Sequence, residues 1–289
     1  LAIFRALNDE RGIGLALIAL SEATRRSVDD TSAAQFETRV NLLRTARDHA
    51  REAVEIFERL GESIRQAEAL LEVGCACRDL VGQIRKRQSL VDPTQTLIEE
   101  SRNALWDAYH IADGVYLRYQ LDAMVDLAWL GFYAEQDAII EEGDKAAEAL
   151  IPAEYRLQVG QQEPVIVDQG TEQKILWPEI GKLFAQRGHR LFRKFEAARH
   201  SESGDLSVLL RIATENFWYG LQYSVFYTED YHNLRREKDR IYRSLKSLND
   251  AELSTVLAAV KDMEERHAYG DANKSALREF LENRALWRG

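Results

Sequence analysis

Residues 66–79, QAEALLEVGCACRD, decide the fold prediction, because their pattern occurs three times in the chain. A shift of 53 positions toward the N-terminus pairs apolar residues with apolar residues: Phe4, Leu7, Ala16, Leu17, Ile18, Leu20 and Ala23 align with Phe57, Leu60, Ala69, Leu70, Leu71, Val73 and Ala76. A shift of 54 toward the C-terminus pairs Ala69, Leu70, Leu71 and Val73 with Ala123, Met124, Val125 and Leu127. One position is small in every copy, as Ser21, Gly74 and Ala128. A fixed period of this kind predicts a stack of repeated units.

The composition favours a helical protein. The 289 residues include only 16 Gly and 4 Pro, and Ala, Leu, Glu and Arg, which favour helices, are abundant. No apolar run approaches the roughly 18 residues of a membrane-spanning helix, and we expect no membrane association. The net charge of −10 argues against binding of nucleic acid by the chain as a whole, although a local basic patch could still bind it.

Turn-forming residues divide the chain into helices. Asn8 with Asp9, Gly61 and Gly114 are predicted to end helices, and Asn249 with Glu252 is predicted to form a capping box. We predict four segments: repeats over 1–152, an inserted loop or small hairpin over 153–176, a degenerate fourth helix pair over 177–230, and a C-terminal helical cap over 231–289.

The repeated stretches resemble tetratricopeptide repeats. Leu70, Val73, Gly74 and Cys77 match the first-helix pattern of that family loosely, and Trp177, Ile180, Gly181 and Phe184 match it best. The resemblance implies an all-α fold, a right-handed TPR-like α-solenoid of antiparallel helix pairs whose first helices line a concave binding surface. The period of 53–54 departs from the roughly 34 residues of the standard repeat, so the helices or linkers are expected to be longer.

The phrase IFERLGE, followed by AEALLEVG, is similar to the repeat arrays of large bacterial signal-transduction ATPases. The resemblance implies a non-catalytic sensor or scaffold module that binds a protein or peptide partner in the cytoplasm. Because the sequence begins inside a repeat, we expect a fragment of a larger bacterial regulatory protein. The phosphate-binding pattern G-x-x-x-x-G-K-[ST] does not occur in the sequence.

The resemblance also implies where a partner binds. Residues that follow the small position on the first helix face the concave side in this family. The corresponding residues here are Arg25, Arg26, Arg78, Asp79, Trp129, Phe132 and Tyr133. They predict a strip that runs from cationic to aromatic, suited to an extended peptide with acidic groups and an apolar anchor. The alternative is that Trp129 and Phe132 belong to the core and that the arginines are solvated.

The residues usually responsible for catalysis lack the required spacing. The six histidines form neither an H-x-x-x-H nor an H-E-x-x-H pattern, and Cys75 and Cys77 have no further metal ligands at suitable spacing. The two cysteines are expected to be small buried residues in a reducing compartment. The carboxylates are interpreted as lying on solvated helix faces. We therefore expect no enzyme activity, no metal and no cofactor.

Residues 217–246 support an alternative function. Several aromatic residues are followed by a basic helix, which could bind nucleic acid by stacking and phosphate contact; the aromatic residues are Phe217, Trp218, Tyr219, Tyr223, Phe226, Tyr227 and Tyr231, and the basic ones are Arg235, Arg236, Lys238, Arg240, Arg243 and Lys246. The competing interpretation is a buried aromatic core followed by an ordinary solvated helix, because Glu237 and Asp239 interrupt the basic run.

Overall fold

A computed structural model describes residues 1–31, 35–85, 87, 94–151, 177–201, 205–225, 231–267 and 275–283. Within these ranges the regular secondary structure is entirely α-helical, which confirms the predicted all-α class. The helices are α1 (Ala2–Ala6), α2 (Glu10–Asp30), α3 (Phe36–Leu60), α4 (Ser63–Arg85), α5 (Thr94–Ala112), α6 (Leu117–Ala134), α7 (Asp137–Leu150), α8 (Trp177–Ser201), α9 (Leu206–Val225), α10 (Tyr231–Leu245), α11 (Asp250–Arg266) and α12 (Ala276–Glu282).

The chain divides into two compact units. Unit 1 contains Leu1–Leu150 and unit 2 contains Ile151–Gly289. The segments predicted as a fourth helix pair and as a C-terminal cap both belong to unit 2. The inserted loop or hairpin predicted over 153–176 lies outside the described residues.

In unit 1 each helix from α2 to α7 packs against the next one along the chain. The helices α2, α4 and α6, called here the first helices, also contact one another: α2 contacts α4, and α4 contacts α6. The interior is rich in small side chains, among them Ala46, Ala50, Ala53 and Ala69. Such residues let helix backbones approach closely, and larger buried side chains such as Phe57 fill the remaining space.

The turns that precede the first helices recur in the backbone at the spacing of the sequence repeat. Asn8, Gly61 and Gly114 have φ angles of 52°, 67° and 67°, and they lie 53 residues apart. This left-handed conformation is easily adopted by Gly and tolerated by Asn. It ends a helix by turning the following amide groups back to donate hydrogen bonds to the last carbonyl groups of the helix. The three equivalent turns therefore confirm the predicted helix ends and the repeat spacing.

The small-residue position lies where helices cross closely. A Cβ atom on Gly74 of α4 would come within 2.6 Å of the Leu105 side chain on α5. A Cβ atom added to Gly143 of α7 would lie 2.5 Å from the backbone nitrogen of Ala128 on α6. Small residues at these positions are thus required by packing, because a larger side chain has no space there.

Unit 2 has a different interior. Helices α8 and α9 pack along each other, and their aromatic side chains join residues of α10, α11 and α12 in one core cluster. The large members include Phe192, Phe195, Phe217, Trp218 and Phe280. The start of α11 carries the predicted capping box: the Asn249 side chain accepts from the Glu252 amide at 3.0 Å, and the Glu252 carboxylate accepts from the Asn249 amide at 2.8 Å.

Candidate functional site

A buried ion pair joins the first two of the first helices. Arg25 on α2 donates two hydrogen bonds to the Glu72 carboxylate on α4, with distances of 3.2 and 3.1 Å. Ser21, one turn before Arg25, lies at the limit of hydrogen-bond distance from the same carboxylate, 3.5 Å. This bidentate geometry fixes the orientation of both side chains as well as their separation.

A second pair of the same kind joins α4 to α6. Arg78 donates to the Asp126 carboxylate, and the Cys75 thiol donates to the other carboxylate oxygen of Asp126 at 2.9 Å. Arg78 lies 53 residues after Arg25, and Asp126 lies 54 residues after Glu72. The interaction therefore repeats with the sequence period, and we call each instance an ionic clamp.

Asp79 connects the two ionic clamps. Its carboxylate accepts from the Arg78 guanidinium at 3.0 and 2.9 Å and lies 3.6 Å from a guanidinium nitrogen of Arg25. The result is one continuous charged network across α2, α4 and α6, with two guanidinium groups facing three carboxylates. Each of the five charged side chains is almost completely removed from solvent.

The electrostatics of the network favour the charged forms of its arginines. Burial by itself lowers the pKa of Arg25 and of Arg78, but the neighbouring carboxylates outweigh it, so both pKa values lie well above the ordinary value. Burial raises the pKa of the Cys75 thiol, and the Asp126 carboxylate raises it further. Cys75 is therefore a protonated hydrogen-bond donor and not a reactive thiolate.

The structure brings three of the seven predicted binding residues, Arg25, Arg78 and Asp79, into this network. Arg26 points elsewhere, since its guanidinium lies 2.5 Å from Glu22 on the same helix, and about a third of its side chain is exposed. A partner that contacted Arg25, Arg78 or Asp79 directly would have to replace an existing intramolecular ion pair.

The three predicted aromatic residues form a cluster near the C-terminal end of α6. The Trp129 ring lies 5.5 Å from that of Phe132 and 5.7 Å from that of Tyr133. Trp129 is buried, whereas Phe132 and Tyr133 are half-buried. The Tyr133 ring packs on Gly82 of α4, where an added Cβ atom would lie 3.2 Å from the ring. Phe132 and Tyr133 are thus the members of the predicted strip that combine a fixed position with an accessible surface.

Sequence reasoning missed two members of the network. Glu72 and Asp126 were included in the interpretation of the carboxylates as solvated, and for these two residues that interpretation is wrong because both are buried in ion pairs. The alternative of solvated arginines does not hold for Arg25 and Arg78, which are both paired and largely removed from solvent. A signal was present: acids 54 positions apart recur together with arginines 53 positions apart, and charges at equivalent positions of a repeat can pair between copies.

Among the described residues, no group of three or more His, Cys, Asp or Glu side chains is placed to hold a metal ion. The described helices also include none with the length and apolar character that crossing a membrane requires.

The aromatic half of the alternative surface lies in the core of unit 2 where it is described. Phe217 and Trp218 are fully buried, and Tyr219 packs at the edge of the cluster with its hydroxyl 3.3 Å from His267. The side chains of Tyr223, Tyr231, Arg235 and Arg236, and all of Phe226 and Tyr227, lie outside the described residues.

The basic half contributes a charged surface between α8 and α10. His189 of α8 lies 3.3 Å from the Ser244 hydroxyl of α10. Burial lowers the pKa of His189 to about 3, and Arg240, Arg243 and Arg193 lower it as well. The histidine is therefore neutral at physiological pH, and positive charge from two helices is concentrated around it.

No protein-family model, no curated protein and no solved structure matches this chain. The function must therefore be argued from the contacts within the molecule.

Proposed function

We propose that this chain is a non-catalytic protein-interaction module whose binding face is formed by the first helices of unit 1, arranged as a right-handed TPR-like solenoid. The observation that supports it best is the repetition of the ionic clamp, Arg25 with Glu72 and Arg78 with Asp126. Ionic clamps at equivalent positions hold successive first helices in one register. A fixed register is what a surface needs in order to present side chains from several helices to one extended partner.

The packing of unit 1 supports a curved arrangement. The first helices contact one another, whereas α3 and α5, which are joined by the Arg51–Glu100 ion pair, approach each other over fewer residues. Helices that lie closer together on one side of a stack place that side on the inside of the curve. The proposed concave side is therefore the side of α2, α4 and α6.

The predicted strip has two kinds of members in this proposal. Arg25, Arg78 and Asp79 set the spacing of the helices through the ionic clamps, with Arg26 beside them. Phe132 and Tyr133, supported from below by Trp129, provide the contact surface. Aromatic side chains in fixed positions are the type enriched at binding hot spots, and they suit a peptide with an apolar anchor.

Nucleic-acid binding through 217–246 is the second candidate. The surface around Arg193, Arg240 and Arg243 favours it, but the burial of Phe217 and Trp218 removes two of the rings on which bases would stack. A sensor or scaffold role in a larger bacterial regulatory protein, in the cytoplasm, rests on the sequence resemblance alone.

The test is selection of ligands from a phage-displayed library of random peptides with the intact chain as the target. Peptides that bind should be rich in apolar residues, and Tyr133→Ala should weaken them about tenfold or more. The matched control is Tyr109→Ala, which removes another half-buried tyrosine, on α5. Equal binding by wild type, Tyr133→Ala and Phe132→Ala would contradict the proposed surface, and selective binding of single-stranded nucleic acid that Arg243→Ala weakens would favour the alternative.

A further inference from the structure

The N-terminal end of unit 1 exposes apolar residues at positions that the later repeats bury. Ile3 is 74% exposed and its equivalent Ile56 is 5% exposed. Phe4 is 37% exposed, while its equivalent Phe57 is fully buried. These differences do not reflect residue type, since the paired residues are identical.

The same contrast occurs on α2. Leu20 is 37% exposed, whereas the equivalent Val73 and Leu127 are 4% and 0% exposed. Val73 is buried because it packs in one cluster with Ala50 of α3, the helix that precedes α4. Ile56 and Phe57 are buried because they pack with Leu17 of α2 and lie against Gly14. In both clusters the covering includes the helix that precedes the covered residue, α3 for Val73 and α2 for Ile56 and Phe57.

We propose that the face formed by Ile3, Phe4 and Leu20, called here the open face, binds a further antiparallel helix pair of the same kind as α2 and α3. The open face continues an interface that the molecule already contains, between the α2–α3 pair and α4. Its occupant is therefore defined chemically: one helix with a small-residue apolar stripe like that of α3, which would cover Leu20, and one like α2, which would cover Ile3 and Phe4.

The ionic clamps make the proposal more specific. The position equivalent to Glu72 and Asp126 on α2 is Ala19, which is exposed. An incoming helix pair that carried an arginine at the position of Arg25 would find no carboxylate there. The open face should therefore bind its occupant by apolar contact alone, and an acid introduced at position 19 should create a third ionic clamp.

The experiment adds such a helix pair in the register of the repeat. Because Ala2 is equivalent to Glu55, residues 9–54 are duplicated and joined directly in front of Ala2 of the intact chain, so that the added α3 continues into α1. In this extended chain the added Arg25 lies 47 residues before Ala19, as Arg25 lies 47 residues before Glu72. We expect the duplicated residues to be helical by circular dichroism. The amides of α1 should exchange with solvent at least about tenfold more slowly than in the original chain.

Two substitutions in the original copy of α2 separate the proposal from nonspecific stabilisation. Ala19→Glu should raise the melting temperature of the extended chain by about 2–4 °C and leave that of the original chain unchanged. Leu20→Glu should lower the melting temperature of the extended chain and leave the original chain unchanged, because Leu20 is exposed there. The matched control is Ala19→Gln, which has the size of glutamate without its charge.

Three outcomes would overturn the proposal. The duplicated residues could stay unfolded, or the extended chain could fail to fold. The two substitutions could act equally in the original and the extended chain. The original chain could also form a stable dimer that Leu20→Glu dissociates, which would assign the open face to a second copy of the chain.

Discussion

Units 1 and 2 both withdraw ionisable side chains from solvent, but among the described residues only unit 1 repeats the same buried pairing along the chain. Unit 1 buries charged groups in pairs at positions that repeat, as Arg25 with Glu72 and Arg78 with Asp126. Unit 2 surrounds His189 with arginines and keeps it neutral, beside an aromatic core. The net charge of −10 also belongs to unit 1, because basic and acidic residues are equal in number over 151–289. The charge pairs of unit 1 therefore form only when the helices keep their register, whereas the aromatic core of unit 2 depends on how well its side chains fit together.

The largest loss of stability is expected when one charge of an ionic clamp is removed. Arg78→Met leaves Asp126 buried without its cation and removes the nearer of the two arginines beside Asp79, and we expect the free energy of unfolding to fall by about 3–5 kcal/mol. Urea denaturation measures it. Arg102→Met is the matched control, since Arg102 forms a half-exposed pair with Glu142 at 2.9 Å and should cost only about 0–1 kcal/mol. Similar losses in the two variants would contradict the distinction between buried and exposed pairs.

Packing at the small-residue position should be the next most sensitive feature of unit 1. Gly74→Leu places a branched side chain against Leu105, and we expect a loss of about 1–3 kcal/mol from overpacking. Thermal and urea denaturation give the loss, and adding Leu105→Ala should restore part of it by making space. If Leu105→Ala only increases the damage, the crossing of α4 and α5 is not as described.

The neutral histidine predicts how unit 2 responds to acid. The pKa of His189 is lowered from 6.5 to about 3, so the unfolded chain takes up this proton first. The contribution of His189 to stability is complete above pH 6.5 and is lost as the pH falls toward 3, by up to about 5 kcal/mol. The free energy of unfolding at several pH values, compared with His189→Gln, measures the contribution. A His189→Gln variant with an unchanged acid dependence would show that other groups are responsible.

The smallest effect is expected where unit 1 already tolerates contact. Gly82 lies beside the Tyr133 ring, and a Cβ atom there would be 3.2 Å from it. Because the half-buried ring keeps its position with a shift of only a few tenths of an ångström, Gly82→Ala should change the free energy of unfolding by only about 0–1 kcal/mol. A much larger loss in the same denaturation experiment would show that the ring cannot make even this small shift.

The sequence predicted those parts of unit 1 that repeat. The spacing of Asn8, Gly61 and Gly114 predicted helix ends that the backbone confirms, because a left-handed residue is a local requirement that a single residue type can reveal. The close crossing at Gly74 was predictable because a small residue recurs at this position in each copy of the repeat. The start of α11 at Asn249 was equally predictable, since a capping box is contained within four residues.

The partners of the charged residues could not be predicted in the same way. In the sequence, Arg78 followed by Asp79 on a helix is typical of a solvated pair. Arg78 is removed from water only because α6 packs against α4 and places Asp126 beside it. The burial of Phe217 and Trp218 likewise depends on packing with residues of α11 and α12. No local sequence pattern near these two residues predicts that packing. Burial is a property of the assembled helices, whereas turns and caps are properties of a few consecutive residues.

A double-mutant cycle on Arg78 and Asp126 measures directly whether this ion pair holds α4 against α6. Arg78→Met, Asp126→Leu and the double variant are compared by urea denaturation. If the ionic clamp holds α4 against α6, Arg78→Met leaves three carboxylates facing one guanidinium, and Asp126→Leu removes the partner of Arg78 on α6. The double variant leaves only two carboxylates facing one guanidinium. We therefore predict a coupling energy of about 2–3 kcal/mol, with the double variant more stable than Arg78→Met alone. Losses that simply add would contradict the central claim that these repeated ion pairs hold the first helices together.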